Sequence, residues 1–138
     1  PKVEGGFGEP SNWLKARESD VSDAVSLAVD GTIFVLKPNG RLIRFTGGSE
    51  VSWPQASVEP PATGATRVWT SSESSFVYVL EPAQNRLLVF QKETGNLAAQ
   101  YRSEAFAGLA DFVVDENRRL IFFLAGSRIY RIDATHIK

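Results

Sequence analysis

The sequence predicts an all-β protein of β-propeller type: about three four-stranded antiparallel meanders, together half of a six-bladed ring. Three observations carry this prediction. First, one phrase recurs, an apolar run, a turn and a second run opened by arginine: TIFVLKPNGRLIRF (32–45), FVYVLEPAQNRLLVF (76–90) and RLIFFLAGSRIYRI (119–132). Second, Leu36, Leu80 and Leu124 stand 44 residues apart. A period in the forties with several strands per unit marks propeller blades, whereas helical repeats of that length show helical periodicity. Third, TIFVL, FVYVL and LIFFL are apolar on both faces. A sandwich strand wets one face and alternates, but a strand that is apolar throughout needs cover on both sides, which neighbouring blades supply.

Residues 1–23 form a lead-in. GGFG at 5–8 reads as a flexible end. Ser11 in SNWLKARESDVSDA is a candidate helix cap, so a linker with a short helix, or a closing strand, is expected there. Blade one occupies 24–65, with SLAV as inner strand, Asp30-Gly31 as turn, then TIFVL, the Pro38-Asn39-Gly40 turn and RLIRF. An irregular proline-rich stretch, VSWPQASVEPPATGA, stands where its fourth strand should be. Blade two occupies 66–109, with RVWT, FVYVL, RLLVF, an ETGN turn and LAAQY returning as the fourth strand. Blade three, 110–138, has FVVD, LIFFL and RIYRI and then stops without an outer strand. The five-residue runs are rich in β-branched and aromatic side chains and too short for ordinary helices.

Composition narrows the function classes. At 138 residues and 43% apolar side chains, one domain with a real core is expected. Fifteen basic against sixteen acidic residues lack the concentrated positive field that nucleic acid demands. No stretch approaches the roughly 18 apolar residues of a membrane span, and PKVEGGFGEP lacks the order of a signal peptide. The absence of cysteine removes disulfides, thiolate nucleophiles and Cys-type metal sites. The absence of methionine, even at the first position, suggests a piece of a longer protein. No HExxH, Asp-x-Asp-x-Asp-Gly, GxGxxG or GxxxxGK[ST] motif occurs, so no metal, cofactor or phosphate cradle is predicted. His136 is the only histidine and lies two residues from the end, where frayed backbone rarely holds catalytic geometry.

Seven residues are candidates for binding a ligand or partner. Arg41, Arg86 and Arg128 open the third strand of each blade, so they occupy equivalent places near one face of the disc. Either they form a guanidinium ring for an anionic ligand or peptide, or each pairs locally with turn carboxylates or carbonyls. Asp23, Arg67 and Asp111 stand before or within the inner strands, near the channel mouth; they either line a site or satisfy backbone donors at strand entry. Trp53, in the proline-rich loop, is expected as an exposed contact residue and Trp69 as core.

The phrases VDGTIFVL…NGRLIRF and VYVLEPAQNRLLVFQKETG resemble NHL-type propeller repeats, with an Asp-Gly turn, an Asn-Arg step and a strand ending in Phe before a Gly turn. The run from NWL through SDAVSLAVDGTIFVL to DFVVDE is similar to propeller domains at the C-terminus of bacterial membrane proteins, some of which carry a metal-dependent Ser/Thr phosphatase domain. The resemblance spans roughly residues 12–133 and implies the fold rather than an activity; nothing in the chain resembles the phosphatase. Two functions are compatible with it. One is a non-enzymatic binding or scaffold module presenting loops to a protein, peptide or small ligand. The other is a piece of a lactonase or hydrolase propeller, which needs carboxylates converging on a channel metal. Three blades make only an arc, because propellers close with about four to eight. Its two ends are expected to expose apolar faces, to be covered by a second copy forming a six-bladed dimer or by further blades of a longer protein.

Overall fold

The computed structural model describes residues 2–3, 6–7, 9–14 and 21–138. Two short strands, β1 (Lys2–Val3) and β2 (Gly6–Phe7), pair antiparallel in a sheet of their own. Three further sheets follow, all antiparallel meanders in chain order. Blade one contains β3 (Ser26–Val29), β4 (Ile33–Leu36), β5 (Leu42–Thr46) and β6 (Ser49–Val51). Blade two contains β7 (Arg67–Trp69), β8 (Phe76–Glu81), β9 (Arg86–Gln91) and β10 (Leu97–Arg102). Blade three contains β11 (Leu109–Asp115), β12 (Leu120–Ala125) and β13 (Arg128–Asp133). Residues 9–14 carry no helix, and the charged run of 15–20 lies outside the described residues.

Blade one differs from expectation. It has its own fourth strand, the short β6, which pairs Glu50 with Phe45 across β5. The proline-rich stretch comes after that strand and fills the space between blades one and two. Gly40 and Gly95 let it approach: both have positive φ (+87° and +79°), and a Cβ would strike the carbonyls of Ala62 and Pro54 respectively.

Ladder register explains the repeat. Leu36 faces Leu42, Leu80 faces Leu87 and Leu124 faces Ile129, so the three leucines occupy one structural position. Because side chains alternate along a strand, each blade has a forward face toward its successor and a backward face toward its predecessor. Phe34 and Leu36 point forward and pack with Val77, Val79, Leu88 and Phe90 of blade two. Tyr78 and Leu80 point forward and pack with Leu109, Ile121 and Phe123 of blade three. β8 is therefore sealed on both faces, with Val77 through Leu80 withdrawn from solvent. Complete burial of one such side chain contributes about 1.5–3 kcal/mol.

Blade three does not meet the expectation of cover on both sides. Ile121 and Phe123 point backward and are buried, whereas Phe122 is only half-buried and Leu124 is exposed. No blade stands against their face among the described residues. The other end is partly closed: Leu14, Val21 and Ala24 pack on Val35, Ile43 and Phe45, the backward face of blade one, leaving Leu27 and Val29 of β3 bare.

Candidate functional site

The three repeated arginines each stand one residue before the partner of the repeat leucine, so the blades place them equivalently. Their environments are not equivalent. Arg86 is completely buried. Its Nε and Nη2 lie 2.6 Å from Glu81 Oε1, Nη1 donates to Gln100 Oε1 at 2.7 Å and to the Glu59 carbonyl at 3.2 Å, and Nη2 also donates to the Pro60 carbonyl. The other Glu81 oxygen accepts from Gly64 N at 2.9 Å. This leaves Arg86 no donor for an anionic ligand: of the two readings, it follows local pairing with a turn carboxylate and carbonyls, and the loop 59–64 folds over it. Arg41 remains exposed and lies 3.8 Å from Glu50 of β6. The Arg128 side chain is exposed, with no hydrogen bond or ion pair of its own among the described residues, while its backbone pairs with Ala125 in the β12·β13 ladder. A ring of three free guanidinium groups therefore does not form.

The inner-strand candidates pair locally. Asp23 forms an ion pair with Lys37 inside blade one. Arg67 Nε lies 3.6 Å from Asp111 Oδ1, joining the inner strands of blades two and three. Both members of that pair are about half exposed, so their contact contributes little to stability. Among the described residues no group of His, Asp and Glu side chains is arranged to hold a metal ion.

Trp53 is buried, not exposed. It meets Phe34 edge-on at 5.2 Å and Phe90 at 6.1 Å, and its Nε1 donates to the Lys92 carbonyl at 2.7 Å. The proline-rich loop carries it into the groove between blades, where its large area is covered and its one donor satisfied. Trp69 is half-buried against Tyr78 at 5.5 Å.

Two polar clusters escaped the sequence reading. Asp30, read as a turn residue, also ties blade one to blade two: its carboxylate lies 2.7 Å from Lys92 Nζ and accepts from Thr32 N and Oγ1 at 3.0 and 2.7 Å. Burial pushes its pKa upward, but the hydrogen bonds from Lys92 and Thr32 outweigh this and hold it below the usual value. The second cluster centres on His136, which is pinned rather than frayed. Its Nε2 lies 2.8 Å from Tyr78 Oη and its Nδ1 2.6 Å from Tyr101 Oη. Tyr78 in turn donates to Glu116 Oε2 at 2.7 Å, so the tyrosine oxygen receives the Nε2 proton and Nδ1 accepts from Tyr101. Burial lowers the His136 pKa against the opposing pull of Glu116, and burial followed by the Glu116 hydrogen bond raises that of Tyr78. The arrangement holds a neutral imidazole between blades two and three.

The forward face of blade three is a bare apolar surface. Val113, Leu124 and Ile129 are 63%, 42% and 74% exposed, with Phe122 half-buried among them. The outer edge of β13 is also open: β6 pairs with β5 and β10 with β9, but no described strand pairs with β13.

Several solved propellers superpose on this arrangement. Hsv2 of Kluyveromyces lactis aligns over 80% of this chain with a TM-score of 0.54 and 13% identity, covering 33% of its own length. BamB from Moraxella catarrhalis aligns over 83% with a TM-score of 0.54 and 14% identity, covering 34% of its own length. The fold is a partial β-propeller. The chain spans about a third of the solved propellers it matches. No family model matches it, and no curated protein matches it. No helix among the described residues is long and apolar enough to cross a membrane.

Proposed function

We propose that this chain is a non-enzymatic interaction module, a rigid three-blade arc whose forward end docks the apolar sheet of a partner. The observation that carries this reading is the exposure of Val113, Leu124 and Ile129 on a face whose counterparts in blades one and two are sealed by the next blade. Contiguous apolar surface of this kind marks interaction sites. An NHL-like bacterial scaffold, with the module belonging to a longer membrane-attached protein, accords with the sequence resemblance.

A six-bladed homodimer would use the same face, with the backward face of blade one as its counterpart. Leu14, Val21 and Ala24 cover part of that counterpart, so ring closure requires them to move aside. Docking at the forward end alone does not. Sedimentation of the wild-type chain and of Leu124→Glu over a concentration series tests the reading. Self-association that the substitution abolishes, or an apolar dye bound by the wild-type monomer and lost in the variant, supports a docking face. A monomer that binds no dye at any concentration removes it. Calorimetric titration with calcium tests the non-enzymatic part, since tight binding would favour a channel metal site.

A further inference from the structure

Arg41 and Arg86 hold the same place in blades one and two, but their surroundings differ in charge. Opposite Arg86 on β8 stands Glu81, whose carboxylate takes the guanidinium. Opposite Arg41 stands Lys37, whose backbone N donates to the Arg41 carbonyl at 2.9 Å and whose ammonium pairs with Asp23. Among the described residues the Arg41 guanidinium has one ion-pair partner, Glu50, at 3.8 Å, beyond hydrogen-bond reach. Its side chain is 61% exposed.

This arginine stands at the rim of a groove. The turn 39–41 and the proline-rich loop 55–62 enclose about 350 Å³, with Val58, Pro61 and Ala62 on the apolar side and Asn39, Ser57 and Glu59 on the polar side. That size and that mixture, apolar walls with a few placed polar groups, suit a small molecule. Both walls are internal segments of the chain, and neither the forward face nor the edge of blade three borders the groove.

The walls are held before anything binds. Gln55 clamps the turn, its Oε1 accepting from Leu42 N and its Nε2 donating to the Gly40 carbonyl, both at 2.8 Å. Ala56 N donates to the Gly95 carbonyl at 2.8 Å, and Arg86 fixes the carbonyls of Glu59 and Pro60. Asn39 Oδ1 accepts from Arg41 N at 3.0 Å and so sets where the guanidinium extends from. A pre-formed groove loses little binding free energy to ordering.

Charge selects the ligand class. A guanidinium with unused donors is matched by a carboxylate, the group that occupies its equivalent in blade two. Glu50 beside Arg41 and Glu59 in the groove disfavour a second negative charge, which selects a monoanion over a phosphate or a dicarboxylate.

We propose that the groove between the β4–β5 turn and the proline-rich loop binds a monocarboxylate with a short aliphatic body, its carboxylate on Arg41 and its aliphatic part against Val58, Pro61 and Ala62. The site goes beyond the docking reading and lies on a different surface, so either can fail without the other. The probes are 3-methylbutanoate, its uncharged amide, and N-acetylvaline, which presents the same carboxylate as a chain terminus. Added to the isotope-labelled full chain, 3-methylbutanoate or N-acetylvaline is expected to give saturable shifts of the Gly40, Ser57 and Glu59 amides and of Arg41 Nε–H. The tighter of the two identifies the source as a free acid or a peptide end, and either supports the site. The uncharged amide is expected to bind about tenfold more weakly, the loss of one charge-assisted hydrogen bond. Arg41→Gln is expected to weaken both carboxylates by a similar factor with its unfolding midpoint unchanged, while Arg128→Gln leaves binding as in wild type. No saturable shift with either carboxylate by tens of millimolar overturns the proposal, as does equal binding by wild type and a folded Arg41→Gln, or equal affinity for acid and amide.

Discussion

Glu81 and Arg86 bracket the β8–β9 turn with Oε1 2.6 Å from both Nε and Nη2, and neither side chain retains any appreciable solvent contact. Burying two charges is tolerable here because every remaining donor and acceptor is used: Gln100, the Glu59 and Pro60 carbonyls, and Gly64 N. The pair locks the loop between blades onto the blade-two sheet.

Removing one partner strands the other. Glu81→Gln or Arg86→Met should therefore lower stability by about 3–5 kcal/mol in urea unfolding, while a double replacement by apolar residues of similar volume should cost much less. Arg41→Ala and Arg128→Ala, equivalent in sequence position but exposed, should stay within about 0.5 kcal/mol of wild type. Similar losses at all three positions would contradict the environments described.

Core truncation should separate sealed from bare faces. Phe34→Ala and Phe123→Ala remove fully buried rings and should cost about 3–5 kcal/mol. Phe122→Ala, one residue along β12 but on the half-covered forward face, should cost clearly less. Equal denaturation midpoints for Phe122→Ala and Phe123→Ala would show that blade three is covered on both sides.

Stability should fall in two acid steps. Burial depresses the His136 pKa below its ordinary 6.5, so the neutral form is favoured in the folded state. Its contribution is fully present above the unfolded value and is lost as pH falls through the lowered folded value. The Asp30 pKa, held below 3.8 by Lys92 and Thr32 against the burial that raises it, behaves likewise at lower pH: its contribution is present above 3.8 and disappears beneath it. Thermal midpoints measured from pH 7.5 to 3 should decline below about 6.5 in wild type. In His136→Phe that first decline should vanish while the later one remains. A flat wild-type profile between pH 7 and 5 would refute the neutral-imidazole assignment.

Trp53 offers an optical check. Its burial among Phe34, Phe90 and the Lys92 carbonyl should shield it from an aqueous quencher, whereas Trp13, exposed against Phe45, should be quenched readily. Trp53→Phe, which removes the indole donor and leaves the Lys92 carbonyl without it, should cost about 1–3 kcal/mol. The same accessibility for both tryptophans would place the proline-rich loop outside the interblade groove.

The sequence alone determined the three-blade repeat, the first three strands of each blade and the fourth of blade two, and the equivalence of Leu36, Leu80 and Leu124 and of the arginines that follow them; it missed β6 of blade one. These features are written in contiguous segments: β-branched runs, turn residues and a constant period act within a dozen residues of one another. It also anticipated three strands in blade three, as found among the described residues. What it left open was which of three equivalent arginines is buried, whether Trp53 faces solvent, and whether His136 is anchored. Each of those depends on segments far apart in the chain meeting in space: residues 59–60 over Arg86, Lys92 against Trp53, and Tyr78 and Tyr101 around His136. Local propensity carries no record of such encounters, because burial is a property of the assembled blades. Only the tertiary structure decided which apolar strand remains bare, since LIFFL is as hydrophobic as the sealed FVYVL and differs in having no blade against its forward face among the described residues.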